Sequence, residues 1–216
     1  MDAHKALIAQ IEAEMRATAG WTGRPHLAPR VRAALLAVRR EAFVPPALRA
    51  EAYANHPLRI GHGQTISQPF IVALMTELLD PMPDHVVLEI GTGSGYQAAV
   101  LAALVHHVYS VEVIPALSAQ AQTALTREGV GNVTLRIGDG AVGWPEHAPY
   151  DGIIVTAAGP TVPPALIAQL RPGGRMVLPL GEPFGDQMLT LIVKNADGNF
   201  TRRDILPVAF VPLTGG

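Results

Sequence analysis

Apolar residues in the first third of the chain recur at helical spacing. Leu7, Ile8, Ile11 and Met15 share one face, and Gly20 is expected to break that helix. A second helix is predicted from about Val31 to Arg40, with Val31, Leu35 and Val38 on one side. It has to stop before Val44-Pro45-Pro46, because a residue preceding proline is pushed out of the helical region. Residues 61–69 read as a polar, glycine-containing loop, after which Ile71, Leu74, Met75 and Leu78 mark a third helix.

From residue 84 short apolar runs alternate with helical patterns. Val86–Ile90 is a strand leading straight into Gly91-Thr-Gly-Ser-Gly95, and Ala98–Leu104 is a helix. Val108–Val111 is a second strand, ending at Glu112. Pro115 suits the first turn of the next helix, which Gly129 closes. Further strands are predicted at Val133–Ile137, Ile153–Val155 and Met176–Leu178, with a helix over Leu166–Leu170 before the last of these. Segments near Met188–Val193 and Val208–Val211 have no helical pattern between them and are expected to pair as an antiparallel edge. Strands and helices alternating at these lengths mean an α/β fold, with a doubly wound, mostly parallel sheet and added N-terminal helices. The chain divides into residues 1–83, helical and packed on the rest, and an α/β core over 84–216, together one compact unit.

Composition narrows the function classes. The chain has 216 residues, enough for one substantial domain, and a formal net charge of −2 gives no global attraction to nucleic acid or anionic membrane. With no cysteine, disulfides and thiolate metal sites are excluded, which fits a reducing cytoplasm. The N-terminus lacks the uninterrupted apolar core of a secretory signal, and no apolar run reaches the roughly 18 residues of a membrane span. A cytoplasmic protein is expected, with neither membrane nor nucleic acid as partner.

Ligands of open α/β sheets sit beyond the carboxyl ends of the strands. Gly91, Gly93 and Gly95 fall there, spaced so that the backbone can turn sharply and approach a ligand closely. A dinucleotide loop prefers G-x-G-x-x-G, but Tyr96 occupies the third position. The G-x-G-x-G form, with Thr92 inside it, suits S-adenosylmethionine, which carries no phosphate. Glu112, one strand later, is placed to accept hydrogen bonds from both ribose hydroxyls. Asp139, between Gly138 and Gly140 at the end of the third strand, could meet the adenine amino group, with the glycines leaving space for the purine. A simple turn would also account for Asp139, but three such features at successive strand ends point to a methyltransferase.

Further segments carry a resemblance. Arg40-Glu-Ala-Phe-Val-Pro45, Gly63-Gln-Thr-Ile-Ser-Gln-Pro69, Val87–Gln97, Tyr150–Ala158, Gly173–Pro179 and Phe210-Val-Pro-Leu-Thr-Gly215 make residues 31–215 resemble the protein-L-isoaspartate O-methyltransferases. The resemblance implies the class I S-adenosylmethionine-dependent methyltransferase fold. It implies methyl transfer to the free α-carboxylate of L-isoaspartyl residues in damaged proteins and peptides, which starts their repair through a succinimide. It makes Ser67 the catalytic residue and Thr65, Ile66 and Ser67 the substrate loop. It adds no metal, and the enzyme is expected to act as a monomer.

The chemistry suits so modest a site. A carboxyl group with pKa near ~3.5 is already ionised at neutral pH, so no base is needed. What remains is to hold its oxygen in line with the methyl group, which a serine hydroxyl can do without quenching the nucleophile. Helix capping is the competing role for Ser67, since a helix follows it directly. His62 has no proton to move in such a reaction. His106-His107 reads as a strand entry, and Tyr96 and Trp144 as packing near the adenosine. Two departures stand out: Ala209 where many relatives carry a basic residue, and Asn55 where an aspartate is expected. A carboxyl methyltransferase serving one dedicated peptide partner is the alternative. An NAD-dependent oxidoreductase is disfavoured by Tyr96, and a non-catalytic receptor by the intact loop, Glu112 and Ser67.

Overall fold

The computed structural model describes residues 2–182 and 185–213. Helix α1 (Ala3–Thr22) begins at Asp2, whose side chain accepts the His4 N–H, and buries Leu7, Ile8, Ile11 and Met15. It runs through Gly20 and ends at Gly23, which adopts a left-handed φ of 67°. Gly20 has nothing within 4 Å of where a Cβ would lie, so it costs the helix about 1 kcal/mol without stopping it. Helix α2 (Pro29–Ala37) starts earlier than its apolar face suggests, and two 3-10 turns, Arg40–Phe43 and Pro46–Glu51, follow.

Residues 61–69 are not a plain loop. Strands β1 (Leu58–Gly61) and β2 (Gln64–Ile66) pair antiparallel. His62 and Gly63 form the turn, with φ of 53° and 73°, the positive pair a two-residue hairpin turn favours. Each strand is too short for its alternation to register in the sequence. Ser67 and Gln68 then lead into α3 (Pro69–Leu79), which is buried on nearly every side.

Strands β3 (Val86–Ile90), β4 (His107–Glu112), β5 (Val133–Ile137), β6 (Tyr150–Val155), β7 (Leu170–Gly181), β8 (Gln187–Lys194) and β9 (Phe200–Val208) form one sheet, in the order β5-β4-β3-β6-β7-β8-β9. The first five are parallel, and β8 pairs antiparallel with both β7 and β9. Helices α4 (Tyr96–Ala102), α5 (Pro115–Arg127) and α6 (Pro164–Gln169) make the crossovers. Leu170, expected in the last helix, instead opens β7. The final strand also lies earlier than predicted. Thr201-Arg-Arg-Asp204 is exposed on the sheet edge, so β9 shows little apolar pattern. Val211 instead lies beside Ala158, whose N–H it accepts at 2.8 Å.

Alternate residues of the central strands enter two cores. Val87, Ile154 and Val177 join a cluster that runs through Leu101 and Leu74 to Leu7 and Ile11. Leu88, Ile90, Ile153, Val155 and Met176 pack with Leu166 on the other face. Each such side chain contributes about 1.5–3 kcal/mol when fully buried. Among the described residues no helix is long and apolar enough to cross a membrane.

Asn55 joins two of these helices. Its Oδ1 accepts the Phe70 N–H at 3.0 Å in the first turn of α3, and its Nδ2 donates to Glu14 Oε2 of α1 at 2.7 Å. An aspartate could make only the first bond and would repel Glu14. We expect Asn55→Ala to lower stability by about 1–2 kcal/mol, and Asn55→Asp to cost at least as much at neutral pH. Denaturant midpoints for the two variants check this; an Asp variant as stable as the parent would show that the Glu14 contact contributes nothing.

Candidate active site

The glycine loop is held by hydrogen bonds that continue the parallel ladder past the strand ends. Gly91 N–H donates to Val111 O at 2.8 Å, and Thr156 N–H to Ile90 O at 2.9 Å. The Thr156 hydroxyl donates back to Gly91 O at 2.6 Å. Gly91 has φ of 90°, and a Cβ on it would collide with that hydroxyl, so the missing side chain makes room for Thr156. Likewise a Cβ on Gly140 would collide with Ile90, so the missing side chain makes room for that residue.

Glu112 is buried at the end of β4. Its Oε2 accepts the Gly93 N–H at 2.7 Å and its Oε1 the Ile114 N–H at 3.0 Å. An ionised carboxylate has about four lone-pair sites, so two remain for a ligand.

Beneath the loop lies Glu89, fully buried and in register with Ser110 of β4. The Ser110 hydroxyl donates to Glu89 Oε2 and lies 2.6 Å from the Thr92 hydroxyl, while Glu89 Oε1 has no partner among the described residues. Burial pushes this carboxyl up to about 8; the Ser110 hydrogen bond opposes the shift and the charge of Glu112 adds to it.

Thr92, Glu112 and Thr156 line a cleft of about 750 Å³, counted with its open mouth, and Glu89 and Ser110 lie behind its wall. Gly91, Thr92, Gly93, Glu112 and Gly140 form one side of it, with Val111, Val113 and Leu117 nearby. Thr65, Ile66 and Ser67 face them from the hairpin. Ile66 is also a core residue. Two of the sequence-derived residues stand outside this wall. Gly95 is the N-cap of α4, and a Cβ there would press on Ala121 of α5, so it serves helix packing. Asp139 is half-buried at the end of β5, and its Oδ1 accepts the Ala141 N–H at 2.8 Å. Tyr96 is buried and lines the cleft, whereas Trp144 packs on Tyr109 with ring centroids 5.3 Å apart. His62 is an exposed turn residue, and His106 is exposed just before β4.

A second cleft, of about 880 Å³, adjoins the first. Pro57, Gln68, Ile71, Pro207, Val208, Ala209 and Phe210 line it, and none is charged. Thr65, Ser67, Thr156 and Val211 belong to both clefts. Ser67 is half-buried at this junction, and its hydroxyl has no hydrogen bond among the described residues. Capping of α3 falls to Asn55, which leaves the Ser67 hydroxyl available to a ligand. Sequence reasoning gave Thr156 and Val211–Leu213 no role at the site, although both fall in segments that carry the resemblance. Thr156 sits in an apolar strand end, and Val211–Leu213 reach the cleft through the bond from Leu213 N–H to Ala158 O at 2.7 Å. Thr214 and Gly215, the end of the Phe210–Gly215 segment, lie outside the described residues.

The folded-state pKa of Glu89 lies above its value of 4.5 in an unfolded chain. Folded protein therefore retains a proton that the unfolded chain releases. The stabilisation from this group is complete below about 4.5 and is lost as pH rises to about 8. Glu89→Gln, which cannot titrate, is expected to flatten the fall of the thermal midpoint over that window. An unchanged slope in the variant would mean that Glu89 is already ionised in the folded protein.

Comparison with known proteins agrees with this layout. Residues 22–216 match the profile of the family described as Protein-L-isoaspartate(D-aspartate) O-methyltransferase (PCMT). The chain is 54% identical over 214 residues to Protein-L-isoaspartate O-methyltransferase 2 of Syntrophobacter fumaroxidans, covering 99% of this chain and 87% of that protein. It is 56% identical over 209 residues to the protein of the same name from Polaromonas sp., covering 97% and 99%. Among solved structures, a protein-L-isoaspartate O-methyltransferase superposes with a TM-score of 0.82 at 28% identity, covering 96% of this chain and 66% of that one. A putative Plasmodium falciparum enzyme in complex with S-adenosyl-L-homocysteine also gives 0.82; at 22% identity over the full length of both chains it speaks for the fold. With the profile spanning all but the first helix, and relatives above half identity along nearly the whole length, the chain belongs to the protein-L-isoaspartate(D-aspartate) O-methyltransferase family.

Proposed function

We propose that the chain transfers a methyl group from S-adenosylmethionine to the free α-carboxylate of L-isoaspartyl residues in damaged proteins and peptides. One observation carries the reading: two clefts meet at a single wall, and that wall holds Ser67 with an uncommitted hydroxyl.

The first cleft fits the donor. It combines apolar walls with a few buried polar groups, as small-molecule sites do. In this reading Glu112 accepts from the ribose hydroxyls while still holding Gly93, and Thr92, Gly91 and Gly93 shape the floor. Gly95 turns the chain into α4. Asp139 offers its second carboxylate oxygen to the adenine amino group, beside Gly140. When bound, S-adenosylmethionine supplies a methyl group activated by a sulfonium. No metal is required, and among the described residues no three His, Asp or Glu side chains converge as a metal site would need.

The second cleft fits the acceptor. Ser67 donates one hydrogen bond to the isoaspartyl carboxylate, with Thr65 and Ile66 alongside. That bond orients an oxygen that is already ionised at neutral pH and leaves its other lone pairs free. Ala209 brings no charge to this cleft, so the flanking peptide is held by shape and backbone. The resulting ester closes to a succinimide when the neighbouring amide nitrogen displaces the alkoxide, and hydrolysis returns part of it to aspartate. Both clefts are built by one chain, so the reading needs no second subunit, and we take the enzyme to be a cytoplasmic monomer.

Isotopically labelled S-adenosylmethionine should label an isoaspartyl peptide and not its aspartyl twin. Equal labelling of both peptides would sink the assignment. Labelling of neither would favour a dedicated peptide partner instead. Ser67→Ala should lower kcat about 10–100-fold, the worth of one hydrogen bond to a charged group, with cofactor affinity within about twofold of the parent. Calorimetric titration with S-adenosylhomocysteine checks the second half; a large loss there would place Ser67 on the donor instead.

A further inference from the structure

Arg40 has no exposed surface, and among the described residues no carboxylate pairs with it. Its Nη1 donates to Ala52 O at 2.6 Å, and its Nη2 to His56 O at 3.2 Å and Ser67 O at 3.1 Å. Nε finds no acceptor among the described residues. The adjacent Glu41 turns to Arg39, at 3.9 Å. The ring of Tyr96, which lines the donor cleft, lies 6.0 Å from the guanidinium carbon. Burial lowers this guanidinium to about 10, which still leaves it charged at neutral pH.

An unpaired buried cation is costly, and cores rarely keep one without compensation. Bracing three carbonyls explains a donor at this position but not a permanent charge. The placement suggests what the charge does. Arg40 bonds the backbone of the same residue whose hydroxyl stands where the two clefts meet.

We propose that Arg40 is a positioning residue that selects the anionic acceptor from behind the Ser67 peptide unit. This rests on the function proposed above. An arginine touching the acceptor would occupy the carboxylate lone pairs and blunt the nucleophile. One layer back, it favours negative charge at the junction through low-dielectric surroundings and leaves the attacking oxygen free. Its bond to Ser67 O also fixes the residue that carries the hydroxyl.

The test compares two ligands on protein saturated with S-adenosylhomocysteine, whose sulfur is uncharged. One is an isoaspartyl peptide; the other is the same peptide with the isoaspartyl α-carboxyl amidated. The parent protein should bind the acid more tightly than the amide. Arg40→Gln should shrink that preference about tenfold or more. Arg40→Lys should keep the preference but lower kcat, because it keeps the charge and loses part of the bracing. A purely structural role would lower the melting temperature and leave the acid-to-amide ratio unchanged, and a folded Arg40→Gln with the parental ratio overturns the proposal. So does a variant in which only S-adenosylhomocysteine affinity changes. If Arg40→Gln does not fold, the lysine variant decides: a retained ratio supports the charge, a lost ratio refutes it. A parent enzyme that neither labels nor binds the isoaspartyl peptide fails the functional reading itself, and this inference falls with it.

Discussion

The Glu112 carboxylate is the point from which the site is organised. Through the Gly93 and Ile114 N–H groups it ties the glycine loop of one strand to the chain leaving the next. Both bonds end on a carboxylate, and a charge-assisted bond is stronger than a neutral one between the same atoms. Thr156 completes the clamp from the other neighbouring strand. With its loop held on two sides, the first cleft is largely preformed, and a ligand would not have to order its floor.

Near that clamp the fold leaves no exposed surface on one acid, Glu89, and one base, Arg40, and treats them differently. Glu89 gets one hydroxyl for two oxygens, and burial drives it toward the neutral form. Arg40 cannot escape its charge near neutral pH, since its pKa starts so high that even full burial leaves it protonated. It is met by three carbonyls instead. The difference matters at the site. A neutral acid under the donor loop adds no field to compete with Glu112, whereas a fixed cation behind Ser67 does add one.

Much of the sheet could be read along the chain. Val86–Ile90 and Val133–Ile137 have the predicted bounds, and the crossover helices begin or end where Pro115 and Gly129 require. Most of the misreadings share one cause, which is that partners distant in sequence decide the conformation. β1 and β2 are each too short to show a period, and the turn between them is recognisable only once they pair. β9 is polar because it lies at the edge, and β8 supplies its hydrogen bonds. Gly20 and Gly23 are chemically identical, and the one that ends α1 is the one whose N–H returns to Ala19 O.

The sequence by itself determined that a glycine loop and an acid one strand later lie at the same end of the sheet, because both are local features of a strand end. It also contained the Gly63–Pro69 segment that carries the family likeness. Only the tertiary structure decided how these parts meet. It gave α3 its cap from Asn55 rather than Ser67, filled the spaces at Gly91 and Gly140 with Thr156 and Ile90, and set Arg40 behind the Ser67 carbonyl. Spacing along a chain reports which groups lie on one strand or helix face. The freedom of a hydroxyl, or the isolation of a buried charge, depends on every segment packed around it.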